Sequence, residues 1–279
     1  MLYYIDTNGL YNCRKINPEK VKNCFTSIMA VLELITGITE TTFPKRRAIL
    51  GMVFSCGITI DYAFPEEIIG NSFDFFEECD FVEGREEAIL SLVNAILQAE
   101  DYVEYVQSVA YNSEMGHQYF KNIDDGLSRN FRLSTDKGTK EVRSLQKLNS
   151  PENVMTFEGV TYDLNTPEGL KDAFPLFSRL ATLQAMAIKS IELYLPDEKP
   201  SIEEVFISYN GLSAIYVFVF SLYTENVLLN SHSTSKNDAM DLLHLLYLKN
   251  DSGRYIVSDD KIFVKYFPTN TLSFSAISI

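Results

Sequence analysis

Leu2-Tyr3-Tyr4-Ile5-Asp6-Thr7-Asn8-Gly9 reads as a short apolar strand that runs straight into a carboxylate and a turn. Aromatic and β-branched residues suit a pleated backbone, and Asn-Gly breaks it. Asp-Thr-Asn-Gly on its own suits a turn or a helix cap. A carboxylate beside buried apolar sequence is nevertheless expensive unless its charge is met. Three further carboxylates pose the same question. Glu33 sits inside Ile28-Met29-Ala30-Val31-Leu32-Glu33-Leu34-Ile35, Asp241 in Asp238-Ala239-Met240-Asp241-Leu242-Leu243-His244, and Asp260 closes Tyr255-Ile256-Val257-Ser258-Asp259-Asp260. A hard divalent cation held by oxygens compensates several such charges at once.

Working outward, Pro18 starts a helical pattern with Val21, Phe25, Ile28, Leu32 and Ile35 on one face, and Gly37 is its stop. Pro44 opens a second helix through Arg46, Arg47, Ile49, Leu50 and Val53, ended by Gly57. Ile58-Thr59-Ile60 is then the second strand. At the far end the pattern gives a helix over Asn237 to Leu248, a strand over Tyr255 to Val257, and a β-rich stretch over Leu272 to Ile279. Short strands alternating with helices favour a parallel sheet, which binds ligands beyond the carboxyl ends of its strands. If the first and last of these strands are parallel neighbours, Asp6 and Asp260 emerge at one edge.

Between these ends the chain is mainly helical, with long helices expected over Arg85 to Tyr111, Thr166 to Leu195 and Ser201 to Leu229. Tyr119 to Glu158 is polar and is read as including a mobile loop. The fold class is therefore α/β: a parallel-sheet core from 1–65 and 231–279, with 66–230 as a large, mainly helical insertion.

The chain has 279 residues, 46% hydrophobic and 22% charged, an ordinary soluble balance. Its net charge of −14 argues against loose, non-specific binding to nucleic acid. It leaves room for a local basic patch or a basic partner. Cys13, Cys24, Cys56 and Cys79 form no CxxC pair and follow no signal peptide, which suggests reduced thiols in the cytoplasm. Val205 to Thr224 carries no formal charge, but its Ser and Asn residues favour a buried helix over a membrane span. No GxxxxGK[ST] phosphate loop is present.

The four carboxylates resemble the pattern of the PIN-domain nucleases. Asp6-Thr7-Asn8 follows the first strand, Glu33 sits in an apolar helix, Asp241 lies early in a later helix, and Ser258-Asp259-Asp260 follows a later strand. Asp241-x-x-His244-x-x-Tyr247 also looks like a PIN-like subgroup. Ser258 stands where Thr is commoner, and the distance from Ile60 to Asp241 far exceeds that of compact members. The resemblance covers under half of the chain. It implies Mg²⁺ or Mn²⁺ held by Asp6, Asp241 and Asp260, with Glu33 binding metal or orienting a metal-bound water. It also implies Asn8, Ser258 and His244 as hydrogen-bonding supports. Arg46 and Arg47 are candidate phosphate contacts, although a solvated helix start suits them equally. The activity implied is phosphodiester hydrolysis, with RNA ahead of DNA as substrate. Two alternatives stay open: a non-catalytic PIN-like module that binds a protein through its helical insertion, and a phosphatase or nucleotide hydrolase using the same ions.

Overall fold

The computed structural model describes residues 1–76, 84–126, 129, 133, 136, 137, 140, 154–157, 159–195, 197, 200–230, 235 and 237–278. Strand β1 (Leu2–Ile5) lies at the centre of a five-stranded sheet. It is flanked by β2 (Cys24–Ser27) and β6 (Arg254–Val257), with β3 (Thr59–Asp61) and β7 (Thr271–Leu272) at the edges, and every pairing is parallel. Tyr4 pairs with Phe25 and Ile256, while Ile5 pairs with Val257. Successive side chains point to opposite faces. Tyr4, Phe25 and Ile256 accordingly enter one apolar core, and Ile5, Cys24 and Val257 enter the other. A parallel sheet needs both faces covered, and this one has both covered.

The first helical expectation needs correction. Residues 18–37 form not one helix but α2 (Pro18–Val21), strand β2 and α3 (Ile28–Thr36). All four residues of β2 are buried, so the strand shows no polar alternation, and its apolar spacing imitates a helix. Ser27 ends the strand and caps α3, its Oγ accepting from Ala30 N at 3.1 Å, and Gly37 is the stop. Helix α1 (Thr7–Leu10) follows β1, and α4 (Phe43–Ser55) carries Pro44 in its first turn and stops two residues before Gly57, whose φ of 78° suits glycine.

The middle of the chain divides more finely than its periodicity predicts. The helix expected over Arg85 to Tyr111 is three: α6 (Arg85–Gln98), α7 (Tyr102–Gln107) and α8 (Val109–Asn112). Asp101 and Ser108 each accept a backbone N–H three residues on and start a new helix. Residues 117–126 are helical (α9), as are the described residues 129, 133, 136, 137 and 140, so the start of the stretch read as a loop is helix; most of the rest of that stretch lies outside the described residues. Strands β4 (Val154–Phe157) and β5 (Val160–Asp163) form an antiparallel hairpin. Helix α10 (Pro167–Tyr194) matches its expectation, but Ser201 to Leu229 splits into α11 (Ile202–Ile207) and α12 (Ala214–Asn230) around Gly211, at φ 86°.

These helices complete the sheet's own cores. Ile89, Leu92, Ile96, Tyr105 and Phe120 pack with Ile5 and Leu34, while Met186, Val205, Tyr216 and Val219 pack with Tyr4 and Tyr247. The 66–230 segment thus lines both faces of the sheet. No helix among the described residues is long and apolar enough to cross a membrane. The chain returns through α13 (Asp238–Leu243), a 3-10 turn over His244–Leu248, β6, and α14 (Lys261–Tyr266). The expected β-rich end is smaller than predicted: two residues of β7, a 3-10 turn over Phe274–Ala276 and a bridge from Ser278 to Ile16. Cys13, Cys24 and Cys56 are free thiols, and Cys79 lies outside the described residues.

Candidate functional site

Because Ile5 lies opposite Val257, Asp6 and Ser258 leave the sheet side by side. Asp6 is 3% exposed, and its Oδ1 accepts from Gly9 N at 2.7 Å, capping α1. Gly9 permits this turn. A Cβ there would stand 2.7 Å from Ile5 Cγ2 and 3.2 Å from Val257 O. Asp260 caps α14 in the same way, accepting from Ile262 N at 3.0 Å. Buried Ser258 joins the two, with its side chain hydrogen-bonded to Asp6 and its Oγ accepting from Asp260 N at 3.1 Å. Asp259 faces solvent, as expected of the neighbour of an inward residue.

Helix α3 delivers Glu33, which accepts a short hydrogen bond from Thr7 Oγ1 and lies 3.5 Å from His244 Nε2. His244 is 1% exposed. Its Nδ1 lies 2.5 Å from Tyr4 Oη, which also meets Ser27 Oγ at 2.8 Å. A continuous polar relay, Ser27–Tyr4–His244–Glu33–Thr7, therefore runs beneath the site. The structure places His244 against a carboxylate, Glu33, in keeping with a hydrogen-bonding support. Asp238 is held structurally, accepting from Ser235 N at 2.7 Å and from the Tyr223 hydroxyl.

A cleft of about 270 Å³ collects Asp6, Asn8, Glu33, Asp241, His244 and Arg46. Asp260 and Ser258 do not line this cleft; Asp260 acts on Asp241 through charge, and Ser258 hydrogen-bonds Asp6. Arg46 turns Nη1 onto the carbonyls of Glu33 and Leu34, at 2.7 and 2.8 Å, and so caps the end of α3. Arg47 lines a different cleft, where its Nη2 donates to Leu97 O at 2.9 Å. Both arginines thus give donors to backbone carbonyls, and only Arg46 reaches the carboxylates.

The electrostatics bind the set together. Burial, then Asp260, pushes the Asp241 carboxyl up to about 8, with Glu33 and Asp6 adding and His244 opposing. Burial also raises Asp6, against the pull of His244, Ser258 and Gly9 N. For Glu33, burial works against the charge, but His244, Thr7 and Arg46 outweigh it and hold the carboxyl low. For His244, burial favours the neutral ring, and Glu33 with Asp6 and Asp241 overcomes it, raising its pKa. Four carboxyl groups therefore share one edge with His244, and acidic groups are in excess there.

That excess, carried by oxygen donors, is the chemistry that suits a hard cation. The side chains do not yet converge on one. Among the described residues, no three His, Cys, Asp or Glu side chains form a group that could hold a metal ion. Asp6 and Asp260 are turned onto their own helix caps instead.

Sequence reasoning missed several cleft residues. Asp124 comes from α9 and accepts from Thr36 Oγ1 at 3.2 Å. It lies in the polar stretch read as a loop, where nothing local marks it. Tyr11 and Thr36 line the cleft as well. Tyr4 had one signal, a polar hydroxyl on the inward face of a central strand. No family model matches the chain, nor does any curated protein or solved structure.

Proposed function

We propose that this protein is a metal-dependent PIN-like nuclease that acts as an endoribonuclease in the cytoplasm. The observation that carries the proposal is the gathering of Asp6, Glu33 and Asp241 in one cleft at the carboxyl edge of β1 and β6, with Asp260 beside them, where burial and then Asp260 push the Asp241 carboxyl up to about 8. A lone capping aspartate would have no such neighbours. Asp6, Asp241 and Asp260 would hold Mg²⁺ or Mn²⁺, with Glu33 beside them, only once Asp6 and Asp260 turn from the backbone N–H groups they now cap. An ion held there would offset the carboxylate charge and supply Lewis-acid chemistry for activating water and for the leaving oxygen of a phosphodiester. The chain's own residues do the positioning. Ser258 fixes Asp6 relative to the start of α14, and His244, held by Tyr4, keeps Glu33 oriented toward the cleft.

The test is cleavage of labelled single-stranded RNA, with DNA in parallel, in Mn²⁺, Mg²⁺ or EDTA. Metal-dependent cleavage that Asp6→Asn and Asp260→Asn abolish is the expected result. One observation favours a second reading, a non-catalytic PIN-like module that binds a protein through its helical segment: the carboxylates do not form a finished ligand group. No cleavage, together with metal binding unchanged in both variants, would select that reading.

A further inference from the structure

Of the 279 residues, 38 are Asp or Glu, yet none lies within 7–18 or 41–60. The fold brings these two acid-free stretches together, because the 3-10 turn Cys13–Lys15 packs on α4. Lys45 Nζ stands 4.5 Å from the centre of the Tyr11 ring, and the Arg46 guanidinium carbon 6.0 Å from it. Farther along, Arg14 Nε donates to Met52 Sδ at 2.8 Å. Lys45 and Met52 are seven residues apart on α4, two turns along one face, so Arg14 lies roughly 10 Å beyond Lys45. Arg14, Lys15 and Lys45 are exposed, whereas Tyr11 is half-buried and forms part of the acidic cleft's wall. A basic strip therefore starts at the cleft mouth and runs down α4, on a protein whose net charge is −14.

We infer that this strip is the track for a single-stranded polynucleotide, with Tyr11 as the platform on which one base stacks beside the carboxylates. Cations spaced along a groove with an aromatic ring at its end are the parts such binding needs, because phosphates supply the charge and every base has a face. The acidic remainder of the surface repels the strand and confines it to the strip. Duplex offers no free base face to Tyr11, which fixes the strandedness. This assignment deepens the nuclease reading and rests on it only for the claim that the strip leads to a reactive site.

The experiment is fluorescence anisotropy in EDTA with a labelled oligouridylate of about 12 nucleotides, at several salt concentrations. Lys45→Glu and Arg14→Glu, both at exposed positions, should each weaken binding at least about tenfold and flatten the salt slope by about one or more. Tyr11→Ala should cost about fivefold to a hundredfold, and Tyr11→Phe should restore it. Lys189→Glu, on a remote exposed stretch of α10, should change neither affinity nor slope. Labelled oligodeoxythymidylate should follow the same pattern across the variants, and duplex RNA should bind at least about tenfold more weakly. Unchanged affinity and slope in Lys45→Glu and Arg14→Glu overturn the strip, as does duplex binding equal to the single strand. The two readings separate cleanly. Variant-sensitive binding without metal-dependent cleavage keeps the strip and removes the nuclease. Cleavage lost in Asp6→Asn, with binding and KM unchanged in Lys45→Glu and Arg14→Glu, does the reverse.

Discussion

Asp241 concentrates the account at the scale of a single residue. Its carboxyl ionises near 3.8 when unfolded but is pushed up to about 8 in the fold. Folding therefore retains a proton that the unfolded chain gives up, and metal-free stability falls from about pH 4 and levels off above about pH 8. Asp241→Asn removes that penalty. In EDTA, thermal unfolding should show the variant several degrees above the parent at pH 8, with a gain at least twice that at pH 5. Equal gains at both pH values would contradict a carboxyl raised by burial and its acidic neighbours. Tyr4 makes the complementary case. Tyr4→Phe leaves His244 Nδ1 and Ser27 Oγ without their shared partner, and urea unfolding should report a loss of about 1–3 kcal/mol. An unchanged midpoint would remove the relay from the account. The acidic residues were legible from sequence because charge in apolar surroundings is conspicuous. Tyr4, Asp124 and Tyr11 were not, since their partners lie 23 to 240 residues away or on elements whose placement only packing decides.

Elements show the same division. Strand β6 and helix α10 carry their own boundaries in sequence, the strand in its apolar run before Ser258 and the helix in Thr166, whose Oγ1 accepts from Gly169 N at 3.0 Å. Strand β2 hid itself because burial on both faces erases alternation. The helices expected over Arg85 to Tyr111 and Ser201 to Leu229 run too long because Asp101 and Ser108 cap new helices and Gly211 turns the backbone at positive φ, breaks that apolar periodicity does not register. At the site, the element that matters most is α1, whose approach to β6 depends on Gly9. Gly9→Ala would drive a methyl to 2.7 Å from Ile5 Cγ2, so its urea midpoint should fall by an amount worth about 1–3 kcal/mol. A fully stable Gly9→Ala protein would mean that α1 sits less tightly than described.

Across the whole molecule, the α/β class and the parallel sheet were readable from the alternation of strand and helix at the two ends. The role of the middle was not. Residues 66–230 occur between β3 and β6 in sequence, yet their apolar side chains complete both cores of the sheet. Deleting 66–230 should therefore expose both faces and abolish cooperative thermal unfolding by circular dichroism. A truncated protein that melts cooperatively would show that the sheet stands without its helical cover. The same packing carries Asp124, from the middle of the chain, to the wall of a cleft built mainly by the ends.

The cation site proposed for Asp6, Asp241 and Asp260 at one edge of the sheet can be tested directly. Calorimetric titration of Mn²⁺ into the metal-free parent and into Asp6→Asn, Asp241→Asn and Asp260→Asn tests it without depending on any substrate. The account predicts binding that weakens at least about tenfold in each variant and tightens in the parent between pH 6 and pH 8, as Asp241 gives up its proton. Mn²⁺ binding that is equal in the parent and all three variants would contradict it.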